Sequence, residues 1–195
     1  YQISPNPTPT FPVAATFIHP TLKHHQFYLS RPCQYLLNQN PLCHREMWTS
    51  AVYSELQRTI LNEILNQWKK RYDIKTFRLV GYSGGGVLAL LIAIIRQDVD
   101  HVITVASNID VDAWIRDQDI SPLRQSLNPR QQLSQLCGKS YSFFWGGKDR
   151  VVPAYTHMNF VKELSQCAKV RTKIIASYAH DSEWSEVIVP FISAL

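Results

Sequence analysis

The chain has 195 residues, a length typical of one domain with a substantial hydrophobic core. Hydrophobic residues make up 45% of it and charged residues 18%, which excludes the composition of a disordered chain. The longest uninterrupted apolar run covers residues 87–95, well short of the roughly 20 residues that cross a bilayer. We therefore predict one globular domain over residues 1–195, without a membrane-spanning segment.

The formal net charge of +5 raises the question of a nucleic-acid or anionic-membrane partner. However, lysines and arginines are scattered, and their densest cluster, residues 69–71, ends a predicted helix, where basic residues suit the helix dipole. We predict no nucleic-acid partner. Because the sequence begins at Tyr1 and shows no signal peptide, we expect a trimmed or mature chain whose upstream residues are missing.

The first part of the chain is predicted to be extended and then helical. Residues 1–10 are rich in proline and polar residues and should form an extended or loosely ordered segment. Residues 11–18 fit a short helix or a strand. We prefer the helix, because only about eight residues would link a strand there to the strand predicted at 26–30, fewer than a parallel crossover needs. A loop over 31–47 precedes a core-facing helix at 50–71, marked by apolar residues at every fourth position.

The rest of the chain alternates strands with helices. The predicted order is a strand at 77–80, a helix at 87–95, a strand at 101–106, an irregular stretch at 108–135, a strand at 140–145, a helix at 154–164, a strand at 170–176 and a helix at 182–195. This alternation is typical of a doubly wound α/β fold, with a mostly parallel sheet and helices on both faces. Residues 107–138 are predicted to form an irregular, cap-like insertion beside a pocket.

A serine flanked by glycines lies between the first of these strands and its helix. Residues 81–85 read Gly-Tyr-Ser-Gly-Gly and match the G-x-S-x-G nucleophile elbow, whose tight turn strains the serine backbone and exposes its hydroxyl. We expect glycine to be required at 81 and 85, because side chains there would collide with the strand and the helix. The N–H of Gly84 is then the first donor to an oxyanion. The alternative is a glycine-rich loop that only packs a helix on a sheet.

A serine nucleophile needs a histidine base and an acid that orients it. In this fold the order is Ser, acid, His, each after a strand at the carboxyl edge of the sheet. Asp149 follows the strand at 140–145 and His180 follows the strand at 170–176, which predicts a triad of Ser83, Asp149 and His180. Taken singly, Asp149 fits a turn or helix cap, and His180 fits an ordinary surface histidine.

Other residues compete for roles in this site. Asp110 and Asp112 are rival acids after the preceding strand, whereas Asp181 is expected to cap the final helix. Candidate substrate-contacting residues are Tyr82, Trp114 and Leu123, the last two of which fit loop anchors equally well.

Four histidines near the start of the chain, His19, His24, His25 and His44, raise the question of a metal. They lack a helical i, i+4 pair with a nearby acid and any matched Cys/His spacing. We predict no metal and no cofactor.

The four cysteines are placed for two disulfides. Cys33 and Cys43 share one loop, and Cys137 and Cys167 each precede one of two strands that should begin at the same edge of the sheet. We predict the pairs Cys33–Cys43 and Cys137–Cys167 and an oxidising compartment. The alternative is four inert core thiols in the cytosol.

The segments Gly81–Gly86, Gly146–Asp149 with Val152–Pro153, and His180 before the last helix resemble the α/β-hydrolase superfamily. Four further segments resemble a poorly characterised group of bacterial α/β hydrolases often predicted to be envelope lipoproteins: Arg31–Tyr35, Trp48–Ser50, Asn108–Asp110 with Trp114, and Ser121–Leu123 with Ser126–Pro129. The resemblance implies Ser83 as nucleophile, Asp149 as acid and His180 as base. It also implies export to the bacterial cell envelope or periplasm, with a possible membrane anchor upstream of Tyr1; the cytoplasm is the alternative.

One feature of the superfamily is missing. Its members carry an earlier strand whose following loop supplies the second oxyanion N–H, usually after a His-Gly pair, and His19-Pro20 is the nearest imitation. Either the strand lies upstream of Tyr1 or another group is the donor. The predicted function is a serine hydrolase that cleaves a carboxylic ester or related acyl bond of a small-molecule substrate. The alternatives are a non-catalytic binding protein on the same fold and an acyltransferase.

Overall fold

The computed structural model of the protein describes residues 12–34 and 43–195. Within these ranges the α-helices are α1 (Glu55–Tyr72), α2 (Gly84–Ile95), α3 (Val111–Asp117), α4 (Met158–Leu164) and α5 (Ser185–Ser193). Shorter 3-10 helices cover Val13–Phe17, Arg45–Trp48, Pro129–Leu136 and Ala154–His157. The strands are β1 (Phe77–Tyr82), β2 (Val99–Val105), β3 (Ser140–Gly146) and β4 (Lys169–Ile175). The extended segment predicted at 1–10 lies outside the described residues.

The strands of the described ranges form one parallel sheet in the order β1-β2-β3-β4. Val105 pairs with both Tyr82 and Phe144, and Gly146 pairs with Ile175. The carboxyl ends of the strands therefore lie side by side, and the loops after them open at one edge. Within the described residues β1 pairs with β2 alone. The predicted parallel α/β sheet is confirmed.

Helices cover both faces of the sheet, as predicted. On one face α1, α2, α4 and the helix Pro129–Leu136 bury a large apolar cluster against β2 and β3. On the other face α5 and the helix Val13–Phe17 pack on a smaller cluster that includes Ile103 and Phe144. Consecutive strand residues point to opposite faces, so Phe143 belongs to the first cluster and Phe144 to the second.

No helix within residues 12–34 and 43–195 combines the length and the apolar character that crossing a membrane would require. The apolar helix α2 is instead a core element, because its residues Gly86 to Ile94 are buried.

Helix α1 begins at Glu55, not at residue 50 as predicted. The side chain of Ser54 caps it by accepting a hydrogen bond from the Gln57 N–H. The buried Gln57 side chain then donates to the carbonyls of Met47 (2.6 Å) and Ala51 (3.4 Å). Residues 50–53 consequently form a turn in front of the helix.

The strand predicted at 26–30 is absent. The side chain of Gln26 closes a loop by accepting from the His19 N–H (2.8 Å) and donating to the His19 carbonyl (2.9 Å). Phe27 stacks on Trp68 of α1, with ring centroids 4.6 Å apart. These side-chain contacts hold the segment on α1 instead of in the sheet. The helix preferred at 11–18 is present as the 3-10 helix Val13–Phe17.

The stretch predicted to be irregular, 108–135, is partly helical. Asp110 caps α3 by accepting from the Ala113 N–H (3.2 Å), and its other oxygen pairs with Arg130 Nη1 (2.6 Å). Arg130 lies in the helix Pro129–Leu136. This buried carboxylate therefore links the two helices of the segment.

Both predicted disulfides are present. The Cα atoms of Cys33 and Cys43 are 5.5 Å apart, and those of Cys137 and Cys167 are 5.0 Å apart. The second bridge joins the segments that lead into β3 and β4, where the Gly138 N–H also donates to the Cys167 carbonyl (2.9 Å).

Candidate active site

Ser83 occupies a strained turn between β1 and α2. Its backbone has φ 50° and ψ −127°, a conformation that side-chain-bearing residues rarely adopt. The Ser83 N–H donates to the Val105 carbonyl (2.8 Å), and its own carbonyl accepts from the Gly86 N–H (3.0 Å). The strain expected of an elbow is present, and the surrounding strand and helix hold it in place.

The glycines of this turn are not equivalent. A β-carbon at Gly81 would collide with the backbone of Gly85 and Gly86, so glycine is required there, as predicted. A β-carbon at Gly85 meets nothing within 4 Å, so the predicted requirement at 85 is wrong. The second requirement lies one residue later, because a β-carbon at Gly86 would fall 2.6 Å from Ser107 Cβ.

The side chains of Ser83, His180 and Asp149 form a chain of hydrogen bonds. Ser83 Oγ lies 3.1 Å from His180 Nε2, and His180 Nδ1 lies 2.8 Å from Asp149 Oδ2. An ionised carboxylate only accepts hydrogen bonds, so Nδ1 carries the proton and Nε2 is left to accept from the serine hydroxyl. The Asp149 side chain is 0% exposed and that of His180 is 18% exposed. This arrangement can remove a proton from the hydroxyl.

Asp149 also organises its own loop. Its second oxygen accepts from the N–H groups of Val151 (2.9 Å) and Val152 (2.8 Å). The turn-forming role considered for Asp149 is therefore real, and the same carboxylate serves both the turn and the imidazole.

The other acids considered for the site have different partners. Asp110 is occupied by α3 and Arg130, and Asp112 is an exposed residue of α3. Asp181 does not cap α5, because the cap position is Trp184, which makes no side-chain cap bond. The prediction that Asp181 caps the final helix is wrong.

Two glycines bring the Asp149 and His180 loops together. A β-carbon at Gly146 would collide with the Tyr178 carbonyl, and one at Gly147 would lie 2.8 Å from Ala176 Cα. The Lys148 N–H donates to the same Tyr178 carbonyl (2.8 Å). The loops after β3 and β4 thus pack backbone against backbone, which leaves Asp149 within reach of His180.

The backbone carbonyl of His180 accepts two hydrogen bonds from aromatic side chains. Tyr82 Oη and Trp184 Nε1 each donate to it at 2.9 Å. The Tyr82 ring also lies against the imidazole, with centroids 5.3 Å apart, and burial raises the pKa of its phenol, which therefore remains a donor. These contacts tie Tyr82 to the loop that carries His180, and its contact with substrate stays a prediction. The hydrogen bond from Trp184 was not predicted, although the sequence has this aromatic residue four positions after His180.

A cavity of about 450 Å³ lies beside the elbow. Its lining residues are Trp48, Thr49, Ser50, Val52, Tyr53, Trp114, Ile120, Ser121, Pro122 and Leu123. The predicted pocket residues Trp114 and Leu123 both belong to it, whereas the wall from residues 48–53 was not predicted. Tyr53 connects the cavity to the elbow, because its Oη lies 2.8 Å from where Gly84 would carry a β-carbon.

Hydrogen bonds between distant segments hold the cavity walls. The Tyr53 N–H donates to Ser126 Oγ (3.1 Å), and the Tyr53 carbonyl accepts from the Leu127 N–H (3.0 Å). On the opposite wall Trp114 Nε1 donates to the Val151 carbonyl (2.7 Å), beside the Asp149 turn. Trp114 therefore lines the cavity and anchors its loop, and its contact with substrate stays a prediction.

His157 is fully buried behind this site. It stacks on Trp145, with centroids 5.8 Å apart, and its Nδ1 accepts from the Asp110 N–H (3.4 Å). Burial lowers its pKa to about 4, although the carboxylates of Asp110, Asp117 and Asp149 act in the opposite direction. His157 is consequently neutral at pH 7.

A parallel sheet with helices on both faces, with a strained serine turn between strand and helix, is the α/β-hydrolase fold. No protein-family model matches the chain, and no curated protein sequence matches it. Solved structures do. An esterase from Pyrococcus furiosus, Pf2001, superposes with a TM-score of 0.58 at 14% identity, over 75% of this chain and 61% of the esterase. A puromycin hydrolase superposes with a TM-score of 0.60 at 13% identity, over 74% of this chain and 25% of that one.

A third similar structure, an Agrobacterium tumefaciens protein of unknown function classed with the α/β hydrolases, gives a TM-score of 0.54 at 13% identity. The match covers 72% of this chain and 59% of the Agrobacterium protein. The chain thus spans about three-fifths of the length of the esterase and of the Agrobacterium protein. At these identities the likeness establishes the fold alone.

Proposed function

We propose that the protein is a serine hydrolase that cleaves a carboxylic ester or a related acyl bond. The observation that carries the proposal is the hydrogen-bond chain from Ser83 Oγ to His180 Nε2 (3.1 Å) and from His180 Nδ1 to Asp149 Oδ2 (2.8 Å). A serine hydroxyl is a poor nucleophile at neutral pH, and a neutral imidazole that accepts its proton corrects this.

In the acylation step Ser83 Oγ attacks the substrate carbonyl carbon while its proton moves to His180 Nε2. The carbonyl oxygen becomes an oxyanion that the Gly84 N–H stabilises at the start of α2. The imidazolium is stabilised by Asp149, which lies on Nδ1. The oxyanion then collapses and the ester C–O bond breaks. The leaving oxygen takes the proton from His180 and departs as the alcohol, while the acyl group stays on Ser83.

In the deacylation step a water molecule gives a proton to His180 Nε2 and attacks the acyl carbon. A second oxyanion forms at the Gly84 N–H and collapses, which breaks the bond to Ser83 Oγ. The serine oxygen takes the proton back from His180, and the carboxylic acid leaves.

The cavity favours an apolar acyl group. Its walls carry Trp48, Val52, Trp114, Ile120 and Leu123, and its volume of about 450 Å³ is within the range of small-molecule sites. The names of two structures with the same fold, an esterase and a puromycin hydrolase, agree with hydrolysis of a small acyl compound.

The test is a panel of p-nitrophenyl esters of increasing acyl length, on wild type and on Ser83→Ala. We expect Ser83→Ala to reduce kcat/KM by at least about 10³-fold, because the nucleophile is lost. Ser165→Ala is the matched control, since Ser165 is an exposed serine after α4 whose hydroxyl donates to the Val161 carbonyl (2.7 Å). A fluorophosphonate should label wild type and not Ser83→Ala. Absence of a Ser83-dependent adduct would favour the binding-protein alternative.

We also propose that the protein is exported to an oxidising compartment such as the bacterial periplasm or cell envelope. Its support is the pair of disulfides, which leave no free cysteine among residues 12–34 and 43–195. Alkylation of protein isolated from its natural host without reductant should find all four cysteines blocked. Four alkylated thiols would contradict export.

A further inference from the structure

The second donor to the oxyanion is the open question of this site. Sites of this kind usually present two hydrogen-bond donors to the oxyanion, and losing one typically costs about 10²–10³-fold in kcat. The Gly84 N–H is one donor. The group that lies against Gly84 is the phenol of Tyr53, whose Oη, Cε1 and Cζ lie 2.8, 3.2 and 3.4 Å from the position of a Gly84 β-carbon.

The two groups are close enough to share one oxygen. Because a β-carbon lies about 2.5 Å from the amide nitrogen of its own residue, Tyr53 Oη lies within about 5.3 Å of the Gly84 nitrogen. An oxygen that accepts a hydrogen bond of about 2.9 Å from each of two donors can join donors up to about 5.8 Å apart. The separation of about 5.3 Å is below this reach of about 5.8 Å, so one oxyanion can accept from both the Gly84 N–H and the Tyr53 phenol.

The phenol is held and oriented from behind. Asn108 is buried after β2, and its Nδ2 and Oδ1 lie 3.2 and 3.3 Å from Tyr53 Oη. If Nδ2 donates to Oη, the phenol proton can leave Oδ1 and turn toward the substrate without loss of the Asn108 contact. Burial raises the pKa of Tyr53, so the phenol keeps its proton at neutral pH.

We propose that Tyr53 is a catalytic residue whose phenol O–H donates the second hydrogen bond to the oxyanion, and that Asn108 positions it. The inference rests on the proposed hydrolase function. No proton is transferred from Tyr53; its hydrogen bond moves from Asn108 Oδ1 to the oxyanion as negative charge develops. The proposed arrangement also requires glycine at position 84, because any side chain there would displace the phenol.

Tyr53→Phe tests this, with Tyr141→Phe as the matched control. Tyr141 is also buried and donates its phenol to a backbone carbonyl, that of Leu136 (2.7 Å), at the amino end of β3. With a p-nitrophenyl ester we expect Tyr53→Phe to lower kcat by about 10²-fold and to change KM less than about threefold. Tyr141→Phe should keep the wild-type kcat.

A trifluoromethyl ketone gives a readout that a merely structural role would not change. Ser83 Oγ adds to its carbonyl, the hydroxyl proton goes to His180, and a stable oxyanion remains on the former carbonyl. Tyr53→Phe should bind this inhibitor about 10²-fold more weakly, in line with its kcat. If Tyr53→Phe fails to fold, Asn108→Asp keeps the shape but holds the phenol proton on a carboxylate, and it should lower kcat in the same way.

The outcomes separate the two proposals. The role of Tyr53 is overturned if Tyr53→Phe keeps the wild-type kcat and the wild-type affinity for the inhibitor. If Tyr53→Phe does not fold, the same result in Asn108→Asp overturns it. In either case Ser83-dependent turnover leaves the hydrolase function in place. Equal losses in Tyr53→Phe and Tyr141→Phe also overturn it, because the effect would then follow any lost buried phenol. Absence of Ser83-dependent turnover in the wild type overturns both.

Discussion

At the scale of the residue, the backbone carbonyl of His180 explains how the imidazole keeps its orientation. His180 lies in a loop, where a side chain is usually less well fixed. Two donors meet its carbonyl, Tyr82 Oη from the nucleophile strand and Trp184 Nε1 from the start of α5. With Asp149 on Nδ1, the residue is held at both its backbone and its ring. The loop is therefore tied to the two elements that flank it.

Buried His157 predicts that stability falls in acid. Burial lowers its pKa from 6.5 to about 4, so between these pH values the unfolded chain binds a proton that the folded protein excludes. The stabilisation is present above about pH 6.5 and decreases as the pH falls toward 4. The shift corresponds to about 3 kcal/mol of unfolding free energy over this interval.

Urea unfolding at several pH values between 7.5 and 4 measures this, on wild type, His157→Gln and the exposed-site control His24→Gln. The free-energy difference between wild type and His157→Gln should shrink by about 3 kcal/mol as the pH falls. His24→Gln leaves His157 in place and should keep the wild-type pH dependence. A constant difference between wild type and His157→Gln would contradict the buried, neutral histidine.

At the scale of the element, the contact of α2 with β2 depends on Gly86. A β-carbon there would lie 2.1 Å from Ser107 Oγ, which can rotate away, but also 2.6 Å from Ser107 Cβ and 2.9 Å from Thr104 Cβ, which move only with the backbone. We predict that Gly86→Ala destabilises the protein by about 1–3 kcal/mol, as overpacking of a close interface typically does. Because Ser83 is adjacent to α2, a displaced helix should also lower kcat.

Gly85→Ala is the matched control, one residue away in the same helix. Its β-carbon would meet nothing within 4 Å, and alanine favours a helix over glycine by about 0.8–1 kcal/mol. Gly85→Ala should therefore be neutral or stabilising, measured by thermal and urea unfolding beside Gly86→Ala. Equal losses in both variants would show that the close packing at Gly86 is not what matters.

The elements that sequence reasoning predicted correctly are those with strong local patterns. β1, α2 and β2 come from an apolar run broken by glycines, and this pattern pointed to Ser83. The loops after β3 and β4 then pointed to Asp149 and His180. Local patterns fail where a distant contact decides. The segment at 26–30 is held on α1 by Phe27 and Trp68, which are far apart in the sequence, so its strand-like composition was misleading.

The same limit applies to the site. Tyr53 reads as one more apolar residue of a helical stripe, because its contacts with Gly84 and Asn108 arise only when residues more than 30 positions apart meet. The choice between Gly85 and Gly86 likewise depends on Ser107 of a neighbouring segment. The sequence therefore predicts the types of candidate catalytic residue, whereas the residues that contact them are known only from the folded structure.

At the scale of the whole molecule, the candidate site and the disulfide Cys137–Cys167 lie at opposite edges of the sheet. The site gathers loops after the carboxyl ends of β1, β3 and β4, whereas this bridge joins the segments that enter β3 and β4. The disulfide Cys33–Cys43 lies instead beside the cavity wall, because Cys33 Sγ is 3.5 Å from Met47 Sδ and Met47 precedes Trp48. The two bridges should therefore differ in their influence on catalysis.

We predict that removing Cys137–Cys167 affects stability alone, while removing Cys33–Cys43 also affects substrate binding. The bridges span 30 and 10 residues of sequence, for which the chain-entropy relation gives losses of about 3–4 and about 2–3 kcal/mol. Urea unfolding of the two double serine variants measures the first effect, and ester kinetics below their melting temperatures measure the second. Cys137→Ser with Cys167→Ser should keep the wild-type kcat and KM. Cys33→Ser with Cys43→Ser should raise KM for the longer acyl esters, because the cavity wall that carries Trp48 is no longer held by the bridge. If this double variant keeps the wild-type acyl preference, the wall holds its shape without the bridge.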